Sequence, residues 1–325
     1  MKLRRMMTIL LPLLLSVIVA GLCFGSAPLS VSQLLAALTG TGAESIRLIL
    51  LQIRLPRVLA GCLAGVGLST AGVLLQTVTA NDLASPNVIG INSGAGLAVI
   101  LTLTFAPKAG WLLPLGAFVG AMGAAMVILL AGSRIGSSRS SVVLIGIAVT
   151  TLCNAVISLL SLLDEGILAQ YNHFTVGSLR DVRLGSLIAP GILILAGFCL
   201  AMALSGRLGV LSLGDEAAAA LGIRVKRLRL ADLACAAACA AAVVSFAGLL
   251  GFVGLIVPHV ARHLVGENPR RMLPVAALSG ACLLVLADLL GRVLVAPSEL
   301  PVGILMSLIG APYFLILLAG RNRHA

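Results

Sequence analysis

Long apolar runs, separated by short polar or basic stretches, dominate the sequence. A helix that crosses a membrane needs about 20 predominantly apolar residues. Nine runs reach or approach that length: 8–25, 56–79, 88–106, 111–132, 142–163, 187–205, 230–250, 273–295 and 303–319. A tenth run, 254–266, follows a glycine-rich break at 248–254 and carries Pro258. It is too short to span alone. It reads as a partial helix buried among the others, because irregular backbone at membrane depth must be covered by protein or line a watery cavity. The expected fold is all-α: a polytopic membrane protein of about ten transmembrane helices, one short or partial, forming a single domain over 1–325.

The basic residues give this pattern a direction. With Lys2, Arg4 and Arg5 on the cytoplasmic side and ten segments threaded, fourteen Lys and Arg residues fall inside. The other eleven are Arg134, Arg139, Arg207, Arg224, Lys226, Arg227, Arg229, Arg270, Arg271, Arg321 and Arg323. Six fall outside: Arg47, Arg54, Arg57, Lys108, Arg180 and Arg183; Arg262 and Arg292 sit near helix ends and are left out. That asymmetry predicts both termini in the cytoplasm. With nine spans Arg270 and Arg271 would face out, so the short tenth segment is required.

The N-terminus has two readings. A basic stretch followed by the apolar run Thr8–Phe24 could be a cleaved signal peptide or a retained first helix. The run is long for a signal, and many spans follow, which favours the retained helix. Small residues recur at helical spacing, as in Gly61-x-x-x-Gly65, Gly67, Gly72 and Gly116-x-x-x-Gly120. Such spacing lets helix backbones approach closely.

Three polar segments are long enough to carry structure. Residues 26–54 lie outside and contain a short helix at Ser30–Leu38; 164–186 also lie outside. Residues 206–229 lie inside, with a helix-forming stretch Asp215–Leu221 opened by Gly214 and ended by Gly222. Acids in its first turn complement the helix dipole. A short helix in a basic loop suits docking to a soluble partner.

Composition narrows the function classes. The chain is 60% hydrophobic and 10% charged, with mean hydropathy +1.15. A soluble domain carries about 25% charged residues, so lipid is the solvent for much of this surface. The net charge of +11 is spread between apolar runs, which fits anionic lipid rather than nucleic acid. The seven cysteines lie in apolar runs without a C-x-x-C pair, and read as small buried hydrophobes rather than disulfides or metal ligands. No phosphate-binding G-x-x-x-x-G-K-[ST] occurs, so any ATP is hydrolysed by another chain. His259 and His263 stand at i,i+4, but Val260 occupies the place where a zinc-protease motif needs Glu; a structural or loop-capping role is expected, and no metal site. Asp288 lies inside the ninth run, where pairing with Arg292 one turn later is expected.

Five stretches together resemble the FecCD-type permeases, the membrane subunits of ABC importers for iron-siderophores, haem and vitamin B12. They are RLPRVLAGCLAGVGLSTAGVLLQTVTANDLASPNVIGINSGAG (54–96), FTVGSLRDV (174–182), LSLGDEAAAALGIRVKRLR (211–229), GFVGLIVPHVARHLVG (251–266) and ELPVGILMSLIGAPYFLILL (299–318). They occur in the family's order and spacing. The resemblance implies a ten-helix permease of the bacterial cytoplasmic membrane. It implies a second permease copy or a related permease, two ABC ATPase subunits carrying ATP and magnesium, and an extracytoplasmic substrate-binding protein. The chain itself needs no cofactor and is not an enzyme.

Residue roles follow at matching positions. The resemblance implies that Arg54, Arg57 and Arg292 meet acids on the binding protein. Asn81 and Leu83 match the cytoplasmic gate, and Ser140 and Ser141 its second layer. The family's N-P-L-A reads Asn81-Asp82-Leu83-Ala84 here, so a charge replaces a proline and the loop is expected to be less rigid. Gly214, Glu216, Ala217, Leu221 and Gly222 match the coupling helix that sits in a cleft of the ATPase. The implied activity is ATP-driven alternating access for an iron(III)-siderophore, with haem or cobalamin as alternatives. An ion-coupled secondary transporter would need several partnered intramembrane acids, and an intramembrane enzyme would need the histidines as metal ligands.

Overall fold

The computed structural model describes residues 2–321 apart from 26–28, 88–89, 136–138 and 163; the side chains of 38, 132–143 and 318–321 also lie outside the described set. The described chain is helical throughout. Ten apolar helices follow the ten runs: α1 (Lys2–Cys23), α4 (Leu55–Thr79), α5 (Ile91–Phe105), α6 (Leu112–Ile135), α7 (Arg139–Ser161), α9 (Leu184–Leu211), α11 (Val225–Ala247), α12 (Val253–Val265), α13 (Pro269–Val293) and α14 (Val302–Arg321). Among the described residues, seven are long and apolar enough to cross a membrane, while α5, α12 and α14 are shorter apolar helices.

Four smaller helices fill the polar segments: α2 (Val31–Thr39), α3 (Glu44–Leu48), α8 (Glu165–Val176) and α10 (Asp215–Ala220). Helix α2 begins where expected because Ser30 and Gln33 form a reciprocal capping box, which satisfies two otherwise unpaired donors. Helix α8 was not expected. Asp164 starts it by accepting the Gly166 N–H at 2.7 Å. Nor was the region before α4: α3 runs through a π-helical turn, Ile49–Arg54, straight into α4. The loop expected over 206–229 shrinks to 212–224. The reason is burial: Leu208 and Leu211 extend the inner face of α9, and Leu228 does the same for α11.

Helices α4, α11 and α13 are largely buried at the centre, while α1, α6, α7 and α9 surround them and expose leucines and isoleucines outward. This is the inverse of a soluble bundle and fits lipid contact. The small residues do the close packing. Gly65 of α4 lies against the backbone of Gly280 in α13, and Gly72 against Gly254 in α12. Gly94 of α5 lies against Gly120 of α6 in the same way. A methyl group at any of these would strike a neighbouring backbone, so van der Waals contact between backbones is available only to glycine. Helix α1 packs along α13.

The chain folds back sharply after α4. Pro86 reaches Gly254, which itself touches Gly72, so α5 starts well short of the end of α4. Helices α5 and α12 therefore begin inside the bundle rather than at its ends.

Candidate functional site

One end of the bundle gathers the C-terminus of α1, the π-turn before α4, the C-terminus of α13 and the 294–301 loop. Five charged side chains meet there. Arg57 Nε donates to both oxygens of Asp288, at 2.8 and 2.9 Å, and Arg57 Nη1 donates to Glu299 Oε2 at 2.8 Å. Arg292 Nε lies 3.2 Å from Asp288 Oδ2, the expected i,i+4 ion pair. Arg54 Nη1 donates to the Leu22 and Cys23 carbonyls, both at 2.7 Å, and Arg292 donates to Gly21 and Phe24. These are the carbonyls that end α1, so two guanidinium groups cap a helix that no side chain of its own can cap. Burial alone would push the Glu299 carboxyl up, but the Arg57 hydrogen bond and charge, with Arg180 and Arg292, hold it below its ordinary range.

This geometry places Arg54, Arg57 and Arg292 at 4, 3 and 3% exposure. They do not form an outward surface in this conformation, because acids and helix carbonyls of the same chain already use their donors. Glu299 was the partner missed; the signal was its place in the ELPVG block. Arg47, Lys108, Arg180 and Arg183, all expected on this side, are exposed, with Arg180 at the rim of the cluster, 4.0 Å from Glu299.

Asp232 was also passed over. It is a second carboxylate inside an apolar helix, fully buried on α11, and neither oxygen has a hydrogen-bond partner among the described residues. The signal was an acid within the run 230–250.

At the opposite end lie the loop after α4, the C-termini of α9 and α12 and the N-termini of α11 and α13. Asn81 Oδ1 accepts the Leu83 N–H at 3.0 Å, closing a turn that follows Ala80 in the left-handed region. The neighbouring Asp82 forms an ion pair with Arg262 of α12. The charge that stands in place of proline thus ties the loop to a helix, and the loop is held by an ion pair where loose geometry was expected. His259 and His263 meet nearby edge-on with Nε2 atoms 3.0 Å apart, and the His259 ring also meets Tyr313 of α14 edge-on. The side chains of Ser140 and Ser141 lie outside the described residues; their backbone forms the first turn of α7.

Helix α10 stands beside this end. Ala218 is its buried side, and Arg229 of α11 anchors it through a 2.7 Å contact with Asp215. Glu216, Ala217, Leu221 and Gly222 face outward, Gly214 is half-buried, and Leu221 is 65% exposed, next to Leu213 at 70%. A short, rigidly anchored helix therefore offers exposed leucines on an otherwise basic corner.

Two quoted stretches, 174–182 and 299–318, join the 247–249 segment at the end of α11 in a backbone knot. The Ser178 N–H donates to the Ala247 carbonyl at 2.9 Å, Leu249 to Phe174 at 3.2 Å, and Gly303 to Gly177 at 3.2 Å. Gly177 and Gly248 take positive φ values of 72° and 69°, and Gly303 meets the Val176 carbonyl so closely that no side chain would fit. The glycines are needed for the backbone approach.

Residues 13–320 match the model of the FecCD transport family. The chain belongs to the FecCD transport family. It is 40% identical over 309 residues to the Fe(3+)-citrate import system permease protein YfmE of Bacillus subtilis, covering 94% of this chain and 91% of that one. It is 39% identical to the hemin transport system permease protein HmuU of Yersinia pestis, covering 82% of each. It is 37% identical to the ferric enterobactin transport system permease protein FepD of Escherichia coli, covering 97 and 95%. A solved metal-chelate type ABC transporter in an inward-facing conformation superposes with a TM-score of 0.89 at 31% identity, over 98% of this chain and 99% of that one. As a FecCD permease the chain is a multi-pass membrane transport subunit of the ABC-importer type and not an enzyme.

Proposed function

We propose that this FecCD permease carries an iron(III)-siderophore or a similar ferric chelate across the bacterial cytoplasmic membrane by ATP-driven alternating access. Both termini are cytoplasmic and ten segments span. Two ABC ATPase subunits, holding ATP and magnesium, dock below; a substrate-binding protein docks outside; and a second permease, identical or related, completes the pathway. The chain itself carries no cofactor.

The observation that carries this reading is the α10 corner. Glu216, Ala217 and Leu221 are presented outward on a helix whose inner side is fixed by Ala218 and the Asp215–Arg229 contact. An exposed apolar anchor on a rigid element is what a mechanical contact needs, since it must transmit displacement without deforming. Gly214 and Gly222 at its ends allow close approach. The turn at Asn81 and Leu83, tied to α12 by Asp82, serves as the cytoplasmic gate, with Ser140 and Ser141 behind it.

Docking of the binding protein involves the buried arginines indirectly. Arg180 and Arg183 offer the first contacts. A carboxylate of the binding protein then displaces Glu299 from Arg57, so the internal acid reserves the guanidinium until the partner arrives. Arginine suits such exchange because its donors pair carboxylates in fixed geometry.

The test is co-purification. With the ATPase and binding protein co-expressed, wild type should retain ATPase through detergent washing, and binding protein should alter its turnover in proteoliposomes. Glu216→Arg with Leu221→Asp should lose the ATPase while remaining folded. If wild type retains no ATPase, the coupling role of α10 fails. A haem or cobalamin cargo is the second reading, favoured by the hemin permease at 39% identity, one percentage point below the citrate permease. Loading the binding protein with each ligand class decides it.

A further inference from the structure

His259 and His263 stand one turn apart on α12, at the end of the bundle that carries the Asn81 turn. Residues at i and i+4 share a helix face, and the two rings bring their Nε2 atoms to 3.0 Å. His263 is exposed and His259 half-buried, so a hydrated ion can reach the pair. Arg262, next to His263, is paired with Asp82 of the Asn81 turn, and the Asp82 charge acts on the His259 ring as well. A carboxylate thus offsets the guanidinium beside the histidines.

Val260 does not exclude an ion. In H-E-x-x-H the two histidines ligate the metal and the Glu is the general base. Its replacement therefore removes hydrolytic chemistry and leaves the ligand pair. The separation also selects the ion. With metal–nitrogen bonds of about 2.0–2.1 Å, two tetrahedral ligands stand about 3.3–3.4 Å apart, and two cis ligands of a tetragonal ion about 2.8–3.0 Å. The observed 3.0 Å is the tetragonal spacing. Tetragonal nitrogen sites suit Cu2+ and Ni2+, and Cu2+ also heads the affinity order of the divalent first-row ions.

We infer that His259 and His263 form a binding site for a divalent copper or nickel ion, with both Nε2 atoms as cis ligands and water at the remaining positions. Among the described residues no third His, Cys or carboxylate completes a cluster with them. His259 Nδ1 is buried without a partner, so ligation through Nε2 leaves an unpaired N–H where ligating histidines usually donate to an acceptor. Both facts make the ion exchangeable rather than structural. Without metal, the same two nitrogens share a hydrogen bond. The site rests on α12 and needs neither an ATPase nor the importer reading.

The experiment uses the full chain, purified without a polyhistidine tag, in lipid nanodiscs titrated with Cu2+. Calorimetry gives the affinity, and electron paramagnetic resonance counts the nitrogens on the copper. Wild type should bind one Cu2+ per chain at this site, with a tetragonal spectrum split by two nitrogens. His263→Ala should weaken that binding by at least about tenfold, the least expected for loss of a direct ligand, and abolish the two-nitrogen splitting. His263→Leu with Leu264→His keeps the composition but moves the second ring about 100° around the helix, and should have the same effect. Both positions are exposed, so neither variant disturbs the packed core. His173→Ala, on α8, should change nothing. A wild-type spectrum without two nitrogens, or unchanged affinity in His263→Ala, overturns the proposal. Binding retained in the shifted variant, or lost in His173→Ala, means adventitious surface binding only and overturns it equally.

Discussion

The Nε of Arg57 lies 2.8 Å from one oxygen of Asp288 and 2.9 Å from the other, across the interface between α4 and α13. Both side chains are nearly inaccessible to solvent. Breaking a buried pair leaves an uncompensated charge and costs about 3–5 kcal/mol. Asp288→Ala should therefore lower the thermal midpoint of the detergent-solubilised protein strongly. Asp288→Asn should lower it less, because the amide oxygen still accepts from Arg57.

Glu299 is the part of the cluster that can leave. Glu299→Gln removes the competing carboxylate from Arg57, so association with the binding protein should strengthen by about tenfold, the effect of one charged hydrogen bond. Surface plasmon resonance with immobilised permease reads this directly, and weaker association would refute carboxylate exchange.

The same residue sets an acid limit. The folded Glu299 carboxyl lies below its ordinary range because of Arg57, and its unfolded value is about 4.3. Its stabilising contribution is complete above that pH and is lost as the pH falls through the lower folded value. Wild type should lose stability there more steeply than Glu299→Gln in a pH series of thermal melts.

Helix contact at Gly65 leaves no room for a methyl group, since the added carbon would overlap Gly280. Gly65→Ala should force α4 and α13 apart and cost about 3 kcal/mol. Gly123→Ala, on the open face of α6 with nothing within 4 Å, should be neutral or stabilising by up to about 1 kcal/mol. Equal effects at the two sites would contradict the packing.

The Asp82–Arg262 pair is partly exposed, at 44 and 18%, so its removal should change stability by no more than about 1 kcal/mol. Its effect on the gate should be larger. Asp82→Asn should raise passive leak of a trapped small solute from proteoliposomes, while Asp82→Pro, which stiffens the turn by a different route, should restore tightness. Unchanged leak in Asp82→Asn would remove the ion pair from the gating account.

Local and compositional signals made the helices legible. Apolar run length marks a helix wherever lipid is the solvent, because the backbone must satisfy its own hydrogen bonds there. That rule located α1, α4 and α13, and even the short α12 with its proline. The stretch Ser30–Leu38 and the acids after Gly214 placed α2 and α10 for equally local reasons, and the structure adds the Ser30–Gln33 capping box. Glycine spacing in α4 announced close packing, though not that Gly65 would meet Gly280 or Gly72 meet Gly254.

What only the tertiary structure decided is which distant residues share a space. Arg57 and Glu299 stand 242 positions apart, and no periodicity relates them; chain reversal brings the start of α4 to the end of α13. A basic residue at a helix end looks alike in sequence whether it faces water or caps a neighbour, so the burial of Arg54, Arg57 and Arg292 was invisible there. Asp82 read as a loosened loop until Arg262 stood beside it. Helices α5 and α12 begin inside the bundle because Gly254, between Pro86 and Gly72, lies partway along α4. Helix length is set by each segment's own apolar atoms, but where a helix starts in depth is set by the neighbours that cover its unpaired ends.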